Sequence, residues 1–300
     1  MSHSQKSRTA IGYISALSSG LIWGVSPIYF KALSAVPPME ILMHRMVWSF
    51  LLLLILLFAL RRWHRWLALI GNRRIMPIFI VTTLLVAGNW FVYIWAVTNG
   101  FIVQASLGYF IYPLVSVMLG VVFLRERLRL VQTMAVLLAG AGVAYMAVSH
   151  GQVPWISLAL AFSFSIYALI RKVAEADALE GLTAETLLMS VPAILYLGCL
   201  SRRHSAVFLS CGWTTDGLLI GTALITAVPL LLFNIGGKRL PLSSLSFMQY
   251  LAPTCQFLIG VFLYREPFST AQLVTFILTW LALIIFTADS IQQLKRLNAQ

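Results

Sequence analysis

Apolar runs long enough to cross a bilayer follow one another along almost the whole chain, and that repetition constrains the fold more than any other feature. Read against charges and turn residues, the runs fall at 11–31, 40–60, 76–97, 102–124, 130–149, 154–172, 183–200, 217–236, 242–264 and 269–289. A crossing helix needs about 20 apolar residues. Lipid offers backbone N–H and C=O groups no water partner, so each run satisfies them internally as a helix. The expectation is an all-α integral membrane protein of ten transmembrane helices. An eight-span reading stays open if two weaker windows fail.

The breaks between runs are chemically suited to turns. Pro37-Pro38, Gly71-Asn72, Asn99-Gly100, His150-Gly151, Gly181, Gly236-Gly237 and Glu266-Pro267 all stop or bend a helix. Only the connection after Cys199 looks long enough to hold minor structure. The first run follows Lys6 and Arg8 as a signal peptide would, but continues past Ile28 without a small-residue cleavage site, so it reads as a retained span.

Composition narrows the functional classes. Of 300 residues, 60% are hydrophobic and 10% charged, against roughly 25% charged in soluble domains. No soluble catalytic domain fits between the spans, and no HExxH motif, phosphate-binding glycine loop or nucleophile with its base is present. The chain therefore reads as no enzyme, with no cofactor and no metal. Cys199, Cys211 and Cys255 lack the spacing of a zinc or redox site.

The net charge of +12 sits in short loops between apolar runs, as topology signals do, and does not point to nucleic acid. With the N-terminus inside, sixteen basic residues fall inside: Lys6, Arg8, Arg61, Arg62, Arg65, Arg73, Arg74, Arg125, Arg127, Arg129, Arg171, Lys172, Lys238, Arg239, Lys295 and Arg296. Only Lys31, Arg202, Arg203 and Arg265 fall outside. Basic residues are retained on the cytoplasmic side. Both termini are expected there, in a multi-pass protein of a bacterial inner membrane.

Sliding the chain against itself finds a weak repeat at an offset of 140. Ser106, Pro113, Gly120, Val121, Arg125, Glu126 and Gln132 match Ser246, Pro253, Gly260, Val261, Arg265, Glu266 and Gln272. The local pattern is GVVFLRER at 120–127 against GVFLYREP at 260–267, each with an Arg-Glu pair at a helix end. Two repeats are expected, 9–149 and 154–289, of five spans each. Five is odd, so the second repeat must enter from the opposite face, which makes the two inverted. An alternative is that apolar helices share Gly, Val and Leu by composition, and that Arg-Glu only ends a helix at the membrane surface.

The stretches LIWGVSPIYFKAL (21–33), EILMHRMVWS (40–49), GNWFVYIWAV (88–97), QASLGYFIYPLVSVMLGVVFLRER (104–127), LAFSFSIYALIRK (160–172) and FMQYLAPTCQFLIGVFLYREP (247–267) resemble the drug/metabolite transporter superfamily, its EamA family, and the RarD-type permeases within it. The resemblance covers nearly the whole chain. It implies ten spans in two EamA repeats around a central cavity, and export of small metabolites or drugs; members of the subgroup are often labelled for chloramphenicol sensitivity or resistance. Two positions depart from the pattern. Gln104 stands where an acidic residue is frequent, and Tyr112 where Asn is frequent, so coupling or specificity is expected to differ if either takes part.

Charges within spans mark the candidate site, because each costs about 2.5–3.5 kcal/mol to insert. His44 and Arg45 are the clearest cases, and Glu40 lies four residues before His44 on the same helical face. Together they could bind an anionic group, and Glu40 with His44 could relay protons. The alternative is that Arg45 snorkels to the outer headgroups and Glu40 suits a helix start. Asn89, Trp90 and Tyr93 share helical spacing in the third span, and Tyr109 and Tyr112 precede Pro113 in the fourth. Trp23 lies in the first run. Tyr167, Arg171, Asn234, Gln249 and Tyr250 are the matching groups of the second half.

Aromatic walls of this kind suit planar or amphipathic solutes, although Trp and Tyr also gather at bilayer interfaces, as expected of Trp63, Trp66, Trp155 and Trp213. The Gly140-Ala141-Gly142 run and the Gly217/Gly221 pair suit close helix packing, within one chain or in a homodimer. The expected function is secondary transport of a small solute by alternating access, as an exporter. An uptake permease or facilitator, and a non-transporting scaffold or receptor subunit, are the alternatives.

Overall fold

The computed structural model describes residues 3–124, 129–150, 153–174, 176–237, 239 and 250–298. Among these the chain forms eleven α-helices: α1 (His3–Ala32), α2 (Pro38–Ala59), α3 (Trp63–Ile70), α4 (Met76–Thr98), α5 (Ile102–Leu124), α6 (Leu130–His150), α7 (Trp155–Val173), α8 (Ala178–Arg202), α9 (Trp213–Gly237), α10 (Leu251–Leu258) and α11 (Thr270–Asn298). A π-helical turn, Ile259–Leu263, prolongs α10. Seven helices (α1, α2, α4, α5, α6, α8 and α9) are long and apolar enough to cross a membrane. Three shorter apolar stretches, Trp155–Arg171, Leu251–Leu263 and Thr270–Phe286, fall where the sixth, ninth and tenth runs were expected.

The surface of the bundle is that of a protein solvated by lipid. Ile14, Ile55, Leu84, Leu137, Val148 and Ile284 are all more than 60% exposed. Many polar groups instead turn inward, where they find partners. Pro27 has no N–H to give the carbonyl of Trp23 one turn earlier. That oxygen accepts from Ser26 Oγ at 2.6 Å and from Gln256 Nε2, across on α10, at 3.0 Å.

Packing joins α2 to α8 and α9, α1 to α9 and α10, α4 to α7 and α8, α5 to α7 and α10, and α6 to α11. Two of these approaches depend on glycine. A Cβ on Gly108 would stand 2.8 Å from the Ser157 carbonyl oxygen of α7, and one on Gly24 would stand 2.7 Å from Cys255 Cβ of α10. The small faces singled out from sequence divide. Gly142 abuts Leu278 and Gly221 abuts the Tyr29 hydroxyl, whereas Gly140 and Gly217 have nothing within 4 Å.

One expectation needs correction. Minor helical structure lies not after Cys199 but in α3, between the second and third runs; residues 203–212 form turns only. The segment WHRWLALI is amphipathic, and its Trp66 is 8% exposed against Phe50, with ring centroids 6.5 Å apart. Burying that indole offsets the entropy of ordering a short helix.

Candidate functional site: a one-sided cavity

A cavity of about 990 Å³ runs up the middle of the bundle. It is lined from α1, α2, α4, α5, α7, α8, α9 and α10, whereas α6 and α11 take no part in its wall. Drug-sized ligands occupy pockets of about 300–1,000 Å³, so the space suits a small organic solute.

At its deep end lies Arg45. Its Nε donates to Thr226 Oγ1 at 2.8 Å, and its guanidinium lies 4.0 Å from the Trp90 ring centroid and 5.6 Å from that of Phe30. Tyr93 shares a 2.7 Å hydrogen bond with Ser26. Tyr109 donates to Asn89 Oδ1 at 3.1 Å, while Asn89 Nδ2 donates to the Leu160 carbonyl at 3.0 Å and to Ser163 Oγ at 2.9 Å. Asn89 is thus spent on joining α4, α5 and α7 and lies behind the wall, but it fixes the Tyr109 ring that forms it.

Further along, Tyr112 packs edge-on against Phe164, and Phe164 stacks on Tyr167. Tyr167 donates to Glu185 Oε2 at 3.1 Å, and Arg171 Nε stands 3.7 Å from Glu185 Oε1. Arg171 runs so close over α8 that a Cβ on Gly181 would collide with its guanidinium. Among the described residues the cavity lining reaches the helix ends, and so its mouth, at Leu60, Arg62, Asp177 and Arg239. There Arg62 pairs with Asp177 and, at 2.8 Å, with Glu180.

The opposite end of the bundle is tied shut by carboxylates that accept from backbone N–H groups. Glu266 takes the N–H groups of Ile102 and Val103, each at 2.9 Å, at the start of α5. Tyr264 caps the π-helical turn, and Arg265, with φ of 49°, turns the chain so that Glu266 reaches them. Glu40 Oε1 takes those of Val207 and Phe208 at 2.8 and 3.3 Å, and Asp216 takes that of Leu209 at 2.8 Å. Lys31 Nζ donates to the Val97 carbonyl at 3.3 Å.

Among the sequence candidates, Trp23, Arg45, Trp90, Tyr93, Tyr109, Tyr112, Tyr167, Arg171 and Tyr250 line the cavity. His44 does not. Its ring centroid lies 4.7 Å from that of Phe208 and its Nδ1 accepts from Trp48 at 3.2 Å. One helical residue is a rotation of about 100°, which sends His44 toward the 204–212 connection while Arg45 faces the cavity. Glu40 shares the His44 face, as its spacing implied. Its Oε2 and the His44 Nε2 are buried without hydrogen-bond partners.

Gln104 lies in the first turn of α5 near Glu266, beside a smaller pocket and away from the main cavity. Gln249, Arg125 and Glu126 lie outside the described residues, as does the side chain of Asn234 on α9. Sequence reasoning missed Ser26 and Gln256, which also line the cavity. A polar amide one turn after Pro253 in an apolar run was the available signal.

Comparison with known proteins adds a family. Residues 10–148 match the model of the EamA-like transporter family. A protein called an uncharacterized transporter in Vibrio cholerae is 43% identical over 94% of this chain and 93% of its own. Protein RarD of Escherichia coli is 40% identical over 96% of this chain and 98% of its own. A Pseudomonas aeruginosa relative named chloramphenicol-sensitive protein RarD is 29% identical over 95% and 96%. One solved crystal structure superposes with a TM-score of 0.61 at 19% identity, covering 94% of this chain and 98% of that one, a likeness of fold alone.

Proposed function

Since the chain belongs to the EamA family of transporters, we propose that it carries a small solute across a bacterial inner membrane by alternating access, in the direction of export. Family membership makes it a multi-pass membrane transporter of the RarD type and not an enzyme.

The observation that carries it is the cavity's one-sidedness. A space walled by eight helices reaches mid-bundle, opens where Arg62, Asp177 and Arg239 stand, and ends below the seal made by Glu266 and Glu40. The open end belongs to the face richer in Lys and Arg, which is the cytoplasmic face if basic residues are retained inside. Both termini are then cytoplasmic, and the conformation is the loading state of an exporter.

An inverted pair of five-helix repeats, 9–149 and 154–289, would let the bundle rock to the opposite state. Helix pairing supports this reading. If α1, α2, α4, α5 and α6 are the first half and α7 to α11 the second, α2 packs on α8, α5 on α10 and α6 on α11, each on its own counterpart. The most extensive of the other cross-half pairs come as symmetry-related sets: α1·α9 with α4·α7, α1·α10 with α5·α7, and α2·α9 with α4·α8. Register agrees, since α2 begins at Pro38 and α8 at Ala178, 140 residues later. Glu180 and Glu185 therefore occupy the places of Glu40 and Arg45.

Proton coupling through Glu40 and His44 remains part of the proposal, supported by their unpartnered buried atoms. The test is solute flux in proteoliposomes under an imposed pH gradient, comparing the parent with His44→Ala and Arg45→Ala. Saturable flux above protein-free liposomes is expected, lost in Arg45→Ala. Flux that ignores the gradient would remove proton coupling, and no flux of any solute class would remove transport.

A further inference from the structure

From the charge accounting of the cavity we infer that the solute is a monoanion, a carboxylate on a planar aromatic body, whose negative group pairs with Arg45. The inference rests on the transport reading above and names the substrate class of that same cavity.

The chain contains nine acidic residues, and their whereabouts are informative. Seven are described, and each is already committed elsewhere. Glu40, Asp216 and Glu266 accept backbone N–H groups at the sealed end. Asp177 and Glu180 hold Arg62, Glu185 holds Arg171 and Tyr167, and Asp289 holds Arg129. Glu126 and Glu175 lie outside the described residues, in the connections that follow α5 and α7. Among the described residues, then, no carboxylate pairs with Arg45.

Arg45 is nevertheless 6% exposed and stands at the deep end of the cavity. Its partners are a hydroxyl, Thr226, and two ring faces, Trp90 and Phe30. Hydroxyls and ring faces soften the burial of a guanidinium but do not neutralise it, and buried charges in proteins are paired as a rule. A guanidinium also cannot shed its proton to escape the cost. A ligand anion entering the cavity supplies the missing charge.

Two further features fix the class. Among the described residues Arg45 is the lone cation at that depth, since Arg62, Arg171 and Arg239 belong to the mouth or to acidic partners. One positive charge matches one negative charge, which favours a carboxylate over a phosphate dianion. Between Arg45 and the mouth the wall is aromatic, from Trp23, Tyr93, Tyr109, Tyr112, Phe164 and Tyr167, which suits a planar ring.

The experiment uses four probes with one body: 1-naphthoate, 1-naphthamide, 1-naphthylmethylammonium and 1-naphthyl phosphate. Binding to the detergent-purified full chain is titrated calorimetrically, and flux of each is followed in proteoliposomes. The expected result is that naphthoate binds at least tenfold more tightly than the other three. Arg45→Gln should abolish that preference and Arg45→Lys should keep part of it, with both variants checked for an unchanged elution profile and cooperative melting. Should Arg45→Gln fail to fold, the probe ranking on the parent and Arg45→Lys still decides.

Equal binding of acid and amide, or an anion preference untouched in Arg45→Gln, overturns the inference. So does preference for the phosphate or the ammonium probe. If naphthoate is ignored while the amide or the ammonium moves, the anion is wrong and transport stands. If no probe moves or binds, the anion inference falls together with its premise for this class of solute.

Discussion

Gln132 and Gln272, 140 residues apart, make the same hydrogen bond. Each side-chain oxygen accepts the backbone N–H three residues earlier, that of Arg129 at 3.2 Å and that of Ser269 at 2.8 Å, at the starts of α6 and α11. This is half of a capping box, satisfying an N–H that the helix leaves unpaired. In the second half Ser269 Oγ also accepts the N–H of Gln272, at 3.2 Å, completing the box.

Gln132→Ala and Gln272→Ala should therefore each destabilise their helix start, by about 0.5–2 kcal/mol. Thermal melting of the purified protein checks this, with Arg73→Ala, an exposed residue of the turn before α4, as the reference. Equal melting temperatures for all three would deny the caps any weight. A larger loss for Gln272 is expected, because its box is closed from both sides.

The seal at Glu266 invites a sharper test. Its carboxylate accepts two N–H groups at the positive end of the α5 dipole, a charge-assisted arrangement worth about 1.5–3 kcal/mol per bond to the ion. Glu266→Gln keeps one acceptor and loses the charge, and should lower stability by about 1–3 kcal/mol. It should also speed the reaction of a membrane-impermeant thiol reagent with a cysteine introduced at Gln104, beside the seal, in a background where the exposed Cys199 and Cys211 are replaced by serine. Unchanged labelling would mean that other contacts hold this end closed.

Much of the fold was legible because lipid simplifies the problem. With no water in the core, each apolar run could only be a helix: seven of the ten windows fall on helices long and apolar enough to cross a membrane, and the other three overlap shorter apolar helices among the described residues. α3 was not legible, since eight residues around Trp63 and Trp66 carry too little hydrophobicity to register as a span. In the site, spacing correctly grouped Glu40 with His44 but could not say which way that face points. Periodicity fixes angles between residues on a helix, not the helix's rotation against its neighbours. Arg45 was found because a charge in a span is rare. Ser26, three residues from the Trp23 carbonyl that Pro27 frees, was locally legible and overlooked, whereas Gln256 carried only its polarity as a signal, because its bond to that carbonyl spans 233 residues and no local pattern encodes it.

Glycine positions separate packing from propensity. Gly108 has no room for a methyl group, with the Ser157 carbonyl 2.8 Å and the Leu160 Cβ 3.0 Å from where it would stand, whereas Gly140 faces open space. Gly108→Ala should force α5 from α7 at a cost of about 1–3 kcal/mol and reduce flux, since both helices line the cavity. Gly140→Ala should be neutral or stabilising by up to about 1 kcal/mol. Melting temperatures that fail to separate the pair would mean that α5 and α7 can move apart freely.

At the cavity mouth, Arg62 bridges Asp177 and Glu180, and the two acids differ in burial: the Asp177 side chain is 54% exposed and that of Glu180 4%. The Asp177 pair is screened by water and contributes little. Removing Arg62 matters through Glu180, whose buried carboxyl group would be left without its partner. Breaking a buried pair from one side costs about 3–5 kcal/mol, and the part-exposed Arg62 side chain brings the expectation for Arg62→Gln down to about 1–3 kcal/mol. Neighbouring Arg61, which is exposed, serves as the control, and Arg61→Gln should change stability by less than about 0.5 kcal/mol. The decisive variant is the double substitution Arg62→Gln with Glu180→Gln. If the loss arises from the stranded carboxylate, neutralising it should recover most of the melting temperature, so the two changes together destabilise less than Arg62→Gln alone. Additive losses would instead mean that Arg62 acts through packing of its aliphatic stem at the mouth rather than through its charge.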